Sequence, residues 1–126
     1  MISFEQFAPE GSLPLYLQIV GFLKRGLVAG TIADGDEMPS RRMLSALLGV
    51  NPNTIQKSYA MLEEEGLISS RAGAKSCVVA DAEAIGRLRR ELLREGLGAV
   101  VEEMKQMGMT LAEAHEALGL EWEGVK

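Results

Sequence analysis

Between positions 51 and 57 the chain reads Asn51-Pro52-Asn53-Thr54-Ile55-Gln56-Lys57, five polar or cationic side chains around one proline and one isoleucine. Asn and Gln carry a donor and an acceptor side by side and can pair in bidentate fashion with adenine, while Thr offers a methyl to thymine. Lys57 suits phosphate or guanine. Four further cations flank this stretch: Arg41 and Arg42 before it, Arg71 and Lys75 after it. Residues 38–80 hold five basic and three acidic side chains, so a locally positive segment sits in a chain of net charge -5. Binding to a polyanion requires such local positive potential, whatever the total. Residues 81–126 carry most of the acidity, with six basic against ten acidic side chains. The chemistry on offer is recognition of double-stranded DNA, with base edges read by 51–57 and phosphates held by Arg41, Arg42, Arg71 and Lys75.

The same scan finds no set for catalysis or for a cofactor. Gly73-Ala74-Lys75-Ser76 resembles the end of a phosphate-binding loop but lacks its glycines and precedes a strand pattern. Gly96-Leu97-Gly98-Ala99-Val100-Val101 fails the dinucleotide fingerprint in its last position. One cysteine, Cys77, and one histidine, His115, leave no structural zinc set and no nucleophile with a spare base. Cys77 reads as a small buried hydrophobe on a wing strand, His115 as a helix-surface residue, and Glu63-Glu64-Glu65 and Glu102-Glu103 as solvated faces. Tyr16, Phe22 and Tyr59 read as core.

The elements that must carry the polar cluster follow from periodicity. Apolar Leu15, Ile19, Phe22, Leu23 and Leu27 predict a half-buried helix ending at Gly30. Turn chemistry over 32–36 leads to Ser40, a cap for a short helix that runs to Leu48 and stops at Gly49. Asn51 then caps a helix with Pro52 at its first position and Ile55, Tyr59 and Leu62 on one face, ending near Gly66. Two helices joined by a short glycine-containing turn define a helix-turn-helix. Residues 67–71 and 76–79 predict strands of a hairpin, which makes the unit a winged helix.

Residues 81–126 predict two helices. Leu93, Leu97, Val100, Met104, Met107 and Leu111 alternate spacings of four and three, the seam of a helix that packs against another. Gly96 and Gly98 interrupt it with poor helix formers and predict a partner or a bend. Met107-Gly108-Met109 breaks the helix, Thr110 caps a second one, and Gly119 is its expected stop. At 126 residues, 47% hydrophobic, the chain is expected to be mostly α with a small β-wing: a winged helix-turn-helix over 1–80 and a helical dimerisation region over 81–126. A two-fold dimer of this kind requires an inverted repeat, with recognition helices about 34 Å apart. The first residues lack a signal pattern and the apolar stretch around 13–23 is broken by Pro14 and Gln18, so no membrane partner and a cytoplasmic location are expected.

These motifs, in order, resemble the DNA-binding domain of GntR-family bacterial transcription regulators: Pro14-Leu15-Tyr16-Leu17-Gln18-Ile19, Gly35 to Leu44 around Met38-Pro39-Ser40-Arg41-Arg42, Gly49 to Tyr59, Leu62 to Ile68, and Arg71-Ala72-Gly73. The similarity spans about residues 13–79, and the short tail resembles the YtrA-type subfamily. The resemblance implies a homodimeric repressor, often of a transporter operon, with half-sites bounded by GT and AC. It assigns Arg42 to the arginine after the Pro-Ser start, residues Asn51 to Gln56 to the recognition helix, and Gly73 to a wing tip that reaches the minor groove. Ala74-Lys75-Ser76-Cys77 departs from the usual Gly-rich, Thr-Phe-containing wing, and Ser45 from the usual alanine. A different class stays open on the residues alone: a winged-helix protein-interaction module whose acidic tail docks a partner. No small-molecule effector can be named from the sequence.

Overall fold

The structure is a computed structural model that describes residues 1–70 and 75–124. Its described elements are five helices and two short strands, α1(Leu15–Ala29), α2(Arg41–Leu48), α3(Pro52–Glu64), β1(Ile68–Ser69), β2(Cys77–Val78), α4(Ala82–Gln106) and α5(Leu111–Trp122). The chain divides into two compact units, Met1–Leu88 and Arg89–Lys126.

In the first unit, local chemistry sets each boundary. The Ser40 hydroxyl accepts the Met43 N–H at 3.0 Å and starts α2, and the Asn51 side-chain carbonyl accepts the Asn53 N–H at 2.8 Å and starts α3 with Pro52 in its first turn. Each cap satisfies an N–H that the helix itself leaves unpaired. Gly49 closes α2 at φ +66, a conformation in which a Cβ would be strained, and this sharp stop lets α3 begin three residues later. The helix-turn-helix of the sequence is present with the expected caps.

Helical periodicity then decides the core. Ile19, Leu23 and Leu27 of α1, Leu44 of α2, and Ile55, Tyr59 and Leu62 of α3 are buried almost completely. Met38 and Val78 close the bottom of this core. Tyr16 and Phe22 are only half-buried, whereas Phe4, which the periodicity did not reach, is 2% exposed. Its ring lies 5.0 Å from that of Phe22, and Phe7 lies 5.6 Å from Phe22 on another side. The segment before α1 is therefore part of the core, held also by the Ile2 N–H donating to the Glu37 carbonyl at 2.9 Å.

β1 and β2 pair antiparallel, Ile68 with Val78 and Ser69 with Cys77. The pairing extends on the other side of β2 through a bridge between Glu37 and Cys77. Met38 N–H donates to the Ser76 carbonyl and Val78 N–H to that of Asp36, each at 2.8 Å, so the turn before α2 acts as a third, irregular strand. The strands are shorter than the sequence pattern predicts, and the tip of the expected hairpin, with Arg71 and Gly73, lies outside the described residues.

Ser58 is a polar residue with no exposure, set between α3 and α1. Its hydroxyl lies 2.9 Å from the Tyr16 carbonyl and 3.2 Å from that of Thr54. Ser58→Ala leaves the Tyr16 carbonyl without this donor and is expected to cost about 1–3 kcal/mol in urea denaturation. A change within about 0.3 kcal/mol would mean that water replaces the hydroxyl.

α4 runs unbroken through Gly96 and Gly98, and a Cβ at either would meet nothing within 4 Å of this chain. The helices of the tail differ from the sequence expectation at two points. Met107 lies in the turn and Leu111 opens α5, so the predicted seam does not lie on one helix; Leu93, Leu97, Val100 and Met104 are the part on α4. The cause is the turn at Gly108, followed by a capping box in which Thr110 and Glu113 satisfy each other's backbone N–H groups. The second difference is Gly119, which lies inside α5 rather than ending it. The helix continues to Trp122, because one glycine lowers helix stability by only about 1 kcal/mol and the positive φ falls later, at Gly124.

Candidate nucleic-acid interface

α3 has two chemically opposite faces. Ile55, Ser58, Tyr59 and Leu62 are buried, while Asn53, Gln56, Lys57 and Ala60 are exposed. The 3.6-residue period thus turns the side chains of the polar cluster outward at the start of the helix. Thr54 is half-buried at the edge of that face, and Asn51 is exposed with its side-chain carbonyl engaged as cap. Neither α2 nor α3 has an acidic residue in its first turn, so both N-termini keep their positive dipole ends uncompensated.

The flanking cations are placed differently from one another. Arg42 is exposed on the first turn of α2. Lys57 is exposed and reaches toward α1, its Nζ 5.2 Å from the centre of the Tyr16 ring in a cation–π contact. Lys75 Nζ lies 2.8 Å from Glu37 Oε1, an ion pair, with 70% of its side chain exposed. This contact holds the Glu37 carboxyl below its ordinary range and raises the Lys75 ammonium above its own. Arg41 turns inward instead: Nη2 donates to Glu63 Oε1 at 2.8 Å, and the guanidinium carbon lies 4.8 Å from the centre of the Tyr59 ring.

The acidic run 63–65 is exposed, as the sequence reading expects, and it also makes specific contacts. Besides binding Arg41, Glu63 accepts the Ser70 hydroxyl at 2.9 Å, and Glu65 accepts Lys24 of α1 at 2.7 Å. Two of these three glutamates therefore tie the end of α3 to its neighbours rather than simply facing water. No spacing rule connects residues 22 and 41 positions apart, so only the folded chain displays these pairs. Cys77 is free and half-exposed rather than buried as its type suggests, because it sits between Ser69 and Glu37 in the sheet on the side opposite the buried Val78.

A three-helix core, a helix-turn-helix with a polar N-terminal face, and a strand pair packed beside it define a winged-helix DNA-binding unit. The model of the family described as bacterial regulatory proteins, gntR family, matches residues 15–78. The chain belongs to the GntR family, and to its YtrA type, and is a transcriptional regulator. It is 36% identical over 115 residues to the HTH-type transcriptional regulator YhcF of Bacillus subtilis, covering 91% of this chain and 95% of that one. It is 30% identical over 112 residues to the HTH-type transcriptional repressor YtrA of the same organism, covering 88% and 86%. Among solved structures, a GntR family transcriptional regulator from Listeria monocytogenes superposes with a TM-score of 0.81 at 31% identity, covering 88% of this chain and 97% of that one. The DNA-binding domain of AraR in complex with operator ORX1 superposes with a TM-score of 0.50 at 27% identity, covering 57% and 89%. No helix of the described residues is long and apolar enough to cross a membrane.

Proposed function

We propose that this protein is a homodimeric repressor that binds an inverted-repeat operator with α3 in the major groove. The observation that carries the reading is the outward polar face at the start of α3, set on a buried apolar face that fixes its direction. Asn51, Asn53, Thr54 and Gln56 read base edges, and Arg42, Lys57 and Lys75 hold phosphates, with Arg71 and Gly73 adding wing contacts as the family resemblance implies. Residues 1–80 supply DNA binding and residues 81–126 dimerisation. The repressor sense is supported by the name of YtrA, and double-stranded DNA as partner by the AraR operator complex. A transporter operon, half-sites bounded by GT and AC, and action in the cytoplasm follow from the same resemblance.

Dimerisation has a physical motive in exposed apolar surface. Leu93, Leu97, Val100, Met107 and Leu111 are each between 45% and 72% exposed in the single chain. Single exposed leucines are ordinary, but several spaced along helices mark a surface that a second copy covers.

Selection from a pool of random duplexes at two salt concentrations tests the reading. An enriched inverted repeat is the expected result, and its absence with folded dimeric protein would favour a protein-interaction module. On the enriched duplex, Arg42→Ala is expected to reduce the slope of log affinity against log salt by about 0.9, the loss of one phosphate contact. An unchanged slope would remove Arg42 from the interface.

A further inference from the structure

Arg41 and Arg42 are adjacent in sequence but differ in what the fold does with them. The Arg41 guanidinium is fixed in its plane by Glu63 and on its face by the Tyr59 ring, while Nε is buried without a hydrogen-bond partner among the described residues. Only 37% of its side chain is exposed. Reaching a phosphate would require giving up the carboxylate and the ring together. Tyr59 is itself anchored, its hydroxyl donating to the Pro39 carbonyl at 2.6 Å, just before α2 begins.

The other end of the pair leads to the wing. The same Glu63 Oε1 that accepts Arg41 accepts the Ser70 hydroxyl, and Ser70 is hydrogen-bonded to the Ser76 hydroxyl beside β2. Ser76 is 7% exposed. One carboxylate oxygen thus joins the start of α2 and the end of α3 to Ser70 and, through it, to Ser76, the residues that follow β1 and precede β2 at the base of the wing loop. A planar guanidinium with several fixed donors suits such a junction better than a flexible ammonium does.

We propose that Arg41 and Glu63 are positioning residues that set the wing base and α2 relative to the recognition helix, and that Arg41 does not contact phosphate. The functional part rests on the DNA-binding reading above. Arg42 remains the phosphate contact of this helix start, so two adjacent arginines divide the work.

The test uses the full chain with Arg41→Met, Glu63→Ala and Arg42→Ala. On the enriched duplex, the first two are expected to weaken binding about tenfold or more at fixed salt without changing the salt slope, whereas Arg42→Ala lowers the slope by about 0.9. Hydrogen exchange is read in parallel. Amides of Ile68, Ser69, Cys77 and Val78 are expected to exchange faster in Arg41→Met and Glu63→Ala, relative to the Leu23 amide of α1, and at the wild-type rate in Arg42→Ala. A slope reduced by about 0.9 in Arg41→Met would overturn the proposal by making Arg41 a phosphate contact. A steeper slope in Glu63→Ala would overturn it by showing that Glu63 withholds Arg41 from DNA. Unchanged wing exchange in both variants would also overturn it. If the wild type binds no duplex, the DNA-binding reading fails, and the exchange rates alone uphold or overturn the junction.

Discussion

Ile55→Ala is expected to lower the stability of the first unit by about 2–5 kcal/mol, through lost burial and the cavity left behind. The side chain has no exposure and lies in the core with Leu23, Tyr59 and Leu62. A small domain has only about 5–15 kcal/mol in total, so this one truncation removes a large share. Thermal unfolding followed by circular dichroism should show a midpoint about 10 °C lower or more. DNA binding should then fall in proportion to the unfolded fraction and recover on cooling. The adjacent Gln56→Ala is expected to do the reverse: stability within about 0.5 kcal/mol of wild type, and affinity for the operator lower by about 1–3 kcal/mol. An Ile55→Ala variant as stable as wild type would disprove the burial, and a Gln56→Ala variant with unchanged affinity would take Gln56 out of the interface.

Leu97→Glu combined with Val100→Glu is expected to convert the protein to a monomer at micromolar concentration. Both side chains lie on α4, half-exposed in the single chain, at 50% and 45%. Covering the exposed half of each with a second copy would contribute about 1 kcal/mol per side chain, whereas an unpaired carboxylate in the same place costs several. Because the two halves of an inverted repeat are then bound independently, operator affinity is expected to fall by about 10²–10⁴. Sedimentation equilibrium reads the first effect and a titrated gel shift the second. Retention of the dimer would place the interface elsewhere, and a monomer with undiminished operator affinity would show that dimerisation is not used in binding. Glu103→Gln, on the same helix, serves as the control for a charge change on α4.

The two outcomes differ because the two units differ in how much of their apolar surface the chain itself covers. In the first unit, α1, α3 and the strands bury nearly every periodic hydrophobe, so a core truncation is felt locally. In α4 and α5 only Leu88 is buried, in the second turn of α4, and Trp122 is 83% exposed. A second copy is the proposed remedy for that surface.

Caps, turns and periodicity were legible in the chain because they depend on neighbours a few residues apart. Ser40, Asn51 with Pro52, Gly49 and Thr110 act through hydrogen bonds or backbone angles spanning at most four residues, and each does what its type predicts. The buried face of α3 and the outward face of its polar cluster follow from the helical period alone. The family resemblance added the functional frame, since several spaced motifs recur in order over the matched region.

What the sequence did not determine is long-range in origin. Glu63 joins Arg41 and Ser70, Glu65 joins Lys24, and Phe4 reaches Phe22, partners that only the packing of α1, α2 and α3 brings together. Gly119 failed as a stop because a glycine ends a helix only where its backbone turns left-handed, and here that happens at Gly124. Composition made Arg41 and Arg42 equivalent; tertiary structure separated them, because among the described residues Arg41 alone of the two has a carboxylate and an aromatic ring within reach.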